Sequence, residues 1–239
     1  MSVKKIPVVW VTGASRGIGA AIAHVFGVAG AHVVLSGRNV RGLRQNARKI
    51  TRSGGHASVV QCDVGSEKSV LFAFKTISKQ FGRVDVLVNN AGVTYFKPFE
   101  KTTVKEYDRV MATNLRGVFL CIKSVLPGMV RRRDGCIINI LSVSAITTFK
   151  NSSAYAATKA GVLALSRGLR AEVRKKGIRV INVLPGAVET KMWSPKERKK
   201  YHDKMMQPED VAEAVISVFR QSKRLLTEEI VIRPVEGDL

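Results

Sequence analysis

A glycine-rich turn near the start of the chain constrains the fold more than any other feature. An apolar run of strand length, Val8–Thr12, passes into Thr12-Gly13-Ala14-Ser15-Arg16-Gly17-Ile18-Gly19 and then into the small-residue stretch Ala20-Ala21-Ile22-Ala23. Glycines let the backbone turn tightly, and the following helix N-terminus presents unpaired N–H groups and the positive end of its dipole. Strand, glycine turn and helix in this order suit a pyrophosphate seated on the helix end. The spacing is GxxxGxG rather than GxGxxG.

The rest of the chain repeats that alternation. Val8–Thr12, His32–Ser36, Ala57–Gln61, Asp85–Asn89, Cys136–Ser142, Ile178–Leu184 and Glu229–Ile232 read as strands. The segments near 17–29, 40–53, 67–81, 103–131, 154–175 and 208–220 read as helices. Strands separated by helices predict an α/β fold: a doubly wound, seven-stranded parallel sheet of Rossmann type. No Pro/Gly/Ser-rich linker, repeat or second composition block interrupts it, so residues 1–239 are expected to form a single domain. The least regular stretch, Lys191–Gln207, reads as a mobile lid.

Composition narrows the class. With 45% hydrophobic and 24% charged residues the chain reads as globular. No run approaches the roughly 18 apolar residues of a membrane span, and the N-terminal apolar run lacks a signal-peptide cleavage site. Cys62, Cys121 and Cys136 are scattered and odd in number, which suggests reduced thiols and a cytoplasmic protein. The four histidines are equally dispersed, so no metal site is indicated. The anomaly is a net charge of +22. Such a field attracts polyanions, but no nucleic-acid motif accompanies it, and a cationic solvated surface accounts for it equally well. Nucleic acid is therefore expected only as a non-specific partner.

A second constellation carries chemistry. Tyr155 and Lys159 lie four residues apart on a helical stretch, hence on one face. A phenol with a pKa near 10 is a poor proton donor or acceptor at neutral pH, and a cation one turn away favours the phenolate. Ser142 stands 13 residues upstream, at the C-terminal edge of the fifth strand, where open α/β sheets bind ligands.

On these motifs the chain resembles the short-chain dehydrogenase/reductase family, from about Ile6 to Ile232. The resemblance implies that Gly13, Ser15, Arg16, Gly17, Ile18 and Gly19 form the cofactor turn. It implies that Asp63 and Val64 meet the adenine, and that Asn90, Ala91 and Gly92 of the Asn89–Gly92 segment pack on the adenosine ribose. Pro185, Gly186, Val188 and Thr190 would border the nicotinamide. Ser142 would hold the substrate carbonyl oxygen, and Tyr155 would donate the proton. Lys159 would lower the Tyr155 pKa and bind the nicotinamide ribose, and Asn114 would support a water path to the lysine. The implied activity is hydride transfer from NADPH that reduces a ketone or aldehyde to an alcohol.

The end of the second strand bears on which nicotinamide is used. Leu35-Ser36-Gly37-Arg38 offers no acid to accept from a ribose 2′-hydroxyl. Arg38 and Arg16 instead offer guanidinium groups suited to a 2′-phosphate, so NADP(H) is expected over NAD(H).

Within the family the pattern is similar to 3-ketoacyl-acyl-carrier-protein reductases, although the lid is shorter and the tail through Leu239 departs from theirs. That resemblance implies an acidic carrier protein docking at Arg133 and Lys176, beside the active-site mouth, and a homodimer or homotetramer. Val93–Phe96, Ser144–Phe149 and Met192-Trp193 could shape a hydrophobic pocket, with core packing an equal account for about half of them. A small ketone, sugar or steroid-like substrate is the alternative to a ketoacyl thioester. A basic regulatory protein without turnover is the alternative of another class, and the set Asn114, Ser142, Tyr155 and Lys159 argues against it.

Overall fold

The structure, a computed structural model, describes residues 6–222 and 224–238; the ends of the expected 1–239 domain, Leu239 of the tail included, lie outside the described residues. Strands β1 (Val8–Thr12), β2 (His32–Gly37), β3 (His56–Gln61), β4 (Val86–Asn89), β5 (Gly135–Ile140), β6 (Ile178–Pro185) and β7 (Glu229–Ile232) form one sheet. All its pairings are parallel, in the order β3-β2-β1-β4-β5-β6-β7. The order reverses between β1 and β4, which opens a crevice at their C-terminal ends.

The helices are α1 (Gly17–Val28), α2 (Val40–Arg52), α3 (Glu67–Phe81), α4 (Val104–Arg132), α5 (Ser153–Val173), α6 (Pro195–Lys200) and α7 (Pro208–Phe219). Strand residues alternate between two cores, as period-two side chains must. Val8, Trp10, Leu87, Ile137 and Val180 pack with α3, α4 and α5 on one face. Val9, Val11, Val33, Val86 and Val88 pack with α1, α2 and α7 on the other. With both faces covered, the strands read as near-continuous apolar runs. By length and composition α4 could cross a membrane, although no unbroken apolar run marks it in the sequence. Here Leu120, Cys121, Val125 and Met129 of α4 are buried under the sheet.

A buried asparagine row fixes the register beneath the crevice. Asn89, Asn139 and Asn182 stand side by side on β4, β5 and β6. Asn89 Nδ2 donates to Asn139 Oδ1 at 2.9 Å, and Asn139 Nδ2 donates to Asn182 Oδ1 at 3.2 Å and Ser166 Oγ at 2.9 Å. Buried amides left unpaired are costly, so a slipped register would be penalised.

Three local features differ from the sequence reading. β5 ends at Ile140, so Ser142 does not end the strand; it caps a 3-10 turn over Val143–Ala145. α4 widens into a π-helical turn over Ala112–Arg116, which contains Asn114. The expected irregular lid contains α6, started by a capping box between Ser194 and Glu197 with Pro195 in its first turn. Its far end returns to the core through a bridge between Val188 and Met206.

Candidate active site

A cleft of about 830 Å³ opens along the C-terminal edge of the sheet, between β1, β4, β5 and β6. Its floor is the glycine turn. Gly13 has φ +67°, and a side-chain carbon there would meet Ala91 Cα at 2.8 Å. Gly19 does not line the cleft; a Cβ on it would meet Gly13 O at 2.7 Å and clash with the Asn90 side chain. The two glycines thus let the turn fold against the strand beside it.

Thr12 clamps that contact. Its buried Oγ1 accepts from Asn90 N at 3.0 Å and Ala91 N at 3.2 Å, and donates to Val88 O at 3.2 Å. Asn90 Nδ2 donates in turn to Thr12 O at 3.0 Å. One hydroxyl therefore satisfies three backbone groups and joins β1 to the Asn89–Gly92 segment. Thr12 was not singled out from the sequence, yet a lone hydroxyl ending an all-apolar strand is a readable signal.

No side chain caps the N-terminus of α1, so its first N–H groups point into the cleft without an intrahelical acceptor. Arg16 and Arg38, both exposed, line this end with Ser15, Gly17, Ile18 and Asn39. Asn39, missed in the sequence, caps α2 by accepting from Gly42 N at 3.1 Å. Asp63 and Val64 form one wall, and the Asp63 carboxylate accepts from Gly65 N at 3.0 Å. Pro185, Gly186, Val188 and Thr190 form the opposite wall, where Gly186 N donates to Ile232 O at 2.8 Å. Cradle glycines, free helix N–H groups and two guanidinium groups with no carboxylate at the end of β2 fit a phosphorylated dinucleotide.

The reacting end lies between β5 and α5. Tyr155 and Lys159, one turn apart on α5, are 7% and 6% exposed. Burial pushes the Tyr155 phenol up to about 12, opposite to the lowering expected from Lys159 and offset in part by its hydrogen bond with Ser142. Burial pulls the Lys159 ammonium down to about 8. Its Nζ donates to Ile140 O at 2.8 Å and stands 5.5 Å from the Tyr155 ring centroid. Ser142 Oγ also accepts from Ser144 N at 3.1 Å, which fixes the hydroxyl on the 3-10 turn.

Asn114 is buried behind the cleft rather than on its wall. Its Oδ1 accepts from Val93 N at 2.9 Å, and its Nδ2 donates to Val93 O at 2.8 Å and Thr158 Oγ1 at 3.3 Å. The side chain thus braces the segment after Gly92 against α5.

An aromatic shelf covers the reacting end. Phe96 has its ring centroid 6.1 Å from that of Tyr155 and 6.0 Å from that of Trp193. Phe149 and Met192 line the same wall, with Arg109, Lys150, Lys191 and Glu197 at the rim. Asp238 also reaches the cleft and is paired with Arg233, whose Nη2 donates to Thr147 Oγ1 at 3.3 Å. Nothing local in the sequence marks Asp238. The pairing of β7 on β6 brings the tail to this edge, where Arg233 holds Asp238.

Arg133 and Lys176 do not border this cleft. Both precede strands, at the N-terminal edge of the sheet, with Gly135 level with Ile178. Arg133 Nη2 donates to Lys175 O at 2.9 Å, which joins the two basic clusters. Six strand residues at about 3.3 Å each separate them from the catalytic edge, a span of roughly 20 Å. A position beside the mouth of the same chain is therefore corrected: a residue before a parallel strand lies at the edge opposite the site.

Comparison with known proteins agrees with this architecture. A sepiapterin reductase of Chlorobaculum tepidum is 35% identical over 96% of both chains. A metagenomic short-chain oxidoreductase solved in complex with NADP superposes with a TM-score of 0.85 at 34% identity, covering 96% of this chain and 97% of that one. A variant of actinorhodin polyketide ketoreductase solved with NADPH gives a TM-score of 0.91 at 30% identity over the whole of both chains. The short chain dehydrogenase profile matches residues 7–201, and with the glycine turn, the parallel sheet and the Tyr155–Lys159 pair in place, the chain belongs to that family of oxidoreductases.

Proposed function

We propose that this chain is an NADP(H)-dependent carbonyl reductase, with Tyr155 as proton donor. The carrying observation is the burial of Tyr155 beside Ser142 and Lys159 on the wall of a cleft whose other end presents Arg16 and Arg38. Bound NADPH supplies a hydride to the carbonyl carbon. Ser142 holds the carbonyl oxygen, and Tyr155 Oη transfers its proton to that oxygen as charge develops there. Lys159, as ammonium, stabilises the resulting phenolate and binds ribose hydroxyls. Arg16 and Arg38 hold the 2′-phosphate through charge-assisted hydrogen bonds. The NADP and NADPH complexes of the two structural neighbours support the same cofactor here.

The substrate is a carbonyl compound with an apolar or aromatic body, which the Phe96–Trp193 shelf favours over a free sugar. A ketoacyl thioester is the narrower reading. Delivery by an acidic carrier protein at Arg133 and Lys176 requires a second protomer to present its cleft beside them. Assembly as a homodimer or homotetramer is part of the proposal, and the exposed Val104, Tyr107 and Phe119 along α4 support it. Three buried free cysteines suit a reducing compartment, the cytoplasm in this reading. Oxidation of NADPH across a panel of ketones and a ketoacyl thioester tests the function. Turnover with NADPH supports it, and turnover with no carbonyl substrate in the panel contradicts it.

A further inference from the structure

The first 62 residues contain no aspartate or glutamate, while they carry nine lysines and arginines. Asp63 is the first acid of the chain. A +22 protein whose excess is spread evenly would not have such a segment, so the fold must concentrate positive charge on the elements these residues build.

That place is α2. Arg41, Arg44, Arg48 and Arg52 are all exposed on this helix, with Leu43 and Ile50 buried on its opposite side. At 3.6 residues per turn the four arginines fall within an arc of about 80°, and they span about 16 Å along the axis. Among the described residues, none of them takes part in an ion pair: the arginine pairs that form lie at Arg83, Arg116, Arg167, Arg170, Arg174 and Arg233. Arg44, Arg48 and Arg52 line a shallow groove with Ala47, Thr51 and Val59, against β3 at the edge of the sheet.

We infer that this arginine stripe is a binding face for the phosphodiester backbone of nucleic acid. Two observations select that polyanion. The stripe is arginine, whose planar fork grips phosphate through paired N–H donors and keeps its charge at any working pH. Between Val28 and Leu71, no large hydrophobic side chain is exposed among the described residues. A membrane-inserting surface or a protein interface would need such anchors, whereas backbone contacts to phosphate need none. With no exposed Phe, Tyr or Trp ring among the described residues between Val28 and Leu71 to stack on a base, the face reads charge and not sequence. The inference is independent of the reductase reading, because Arg41, Arg44, Arg48 and Arg52 do not line the cleft.

The test is fluorescence anisotropy of the full chain with a labelled single-stranded RNA and a labelled DNA duplex, between 50 and 200 mM salt. Four phosphate contacts give a salt slope of about −3 on a single strand and −4 on a duplex, hence roughly 50- to 150-fold weaker binding across that range. The variant R41E/R44E/R48E/R52E is expected to lose most of that slope and bind at least tenfold more weakly than a control, K68E/K75E/K79E/K105E. The control reverses the same number of exposed charges elsewhere. Both variants should keep NADPH-dependent turnover of a small ketone. Should the fourfold arginine variant fail to fold, R44Q/R48Q is expected to show about half of the slope loss. Equal weakening by the α2 and control variants would overturn the inference. Binding to vesicles containing phosphatidylserine, without binding to either oligonucleotide, would overturn it as well.

Discussion

The Lys159 ammonium donates to the carbonyl oxygen of Ile140 at 2.8 Å, which ties α5 to the last residue of β5 directly below the reacting end. That bond holds a cation one helical turn from Tyr155 at a buried position on the cleft wall. Burial is what makes the arrangement responsive: it pulls Lys159 down to about 8. A lysine so placed disfavours the folded chain wherever it must remain charged.

Lys159→Met should therefore abolish turnover yet stabilise the cofactor-free protein at pH 7, by up to about 3 kcal/mol. The sign follows from proton counting. Between pH 8 and 10 the unfolded lysine keeps its proton while the buried one has lost it, so wild-type stability rises with pH there. Above pH 10 Tyr155 acts in the opposite direction, because its proton is held more tightly in the folded chain. Chemical denaturation from pH 7 to 10 checks this: the wild type should gain stability across the window and the methionine variant should gain little of it.

Arg38→Ala should weaken NADPH binding by roughly 10- to 100-fold, since a charged hydrogen bond contributes about 1.5–3 kcal/mol. NADH lacks the phosphate that Arg38 would hold, so its binding should be unchanged. Titration of both cofactors by fluorescence separates the outcomes. Equal loss for both would remove Arg38 from the phosphate site.

Thr12→Val keeps the shape of the side chain and removes the hydroxyl that accepts from Asn90 N and Ala91 N. Leaving those donors unpaired should destabilise the protein by about 1–3 kcal/mol. Because the clamp sets the position of the glycine turn, NADPH affinity should fall as well. Thermal unfolding with and without NADPH reads both effects, and a variant as stable as wild type would show that the clamp is dispensable.

The fold was legible because the strands and helices report themselves through period and length. β1 and β7 coincide with their sequence reading, and the helix ends shift by one or two residues. The glycine turn is legible because glycines carry their reason in their identity, whereas Asp63, Asn90 and the Pro185–Thr190 wall are reached only through the family resemblance. What escaped depends on contacts between distant segments. Thr12 matters through residues nearly eighty positions away, and Asp238 through the pairing of β7 on β6. The place of Arg133 and Lys176 beside the mouth rests on the resemblance alone, whereas residues that precede β5 and β6 in a parallel sheet lie at the edge opposite the cleft.

The most direct test of the account is the kcat of Tyr155→Phe with a ketone that the wild type reduces, measured at saturating NADPH alongside NADPH affinity. The ring and its contact with Phe96 remain, and only the acidic proton is removed. The expected result is a fall of about 10²–10⁴-fold in kcat with cofactor affinity largely kept. A variant that turns over at near the wild-type rate would contradict the assignment of Tyr155 as the proton donor.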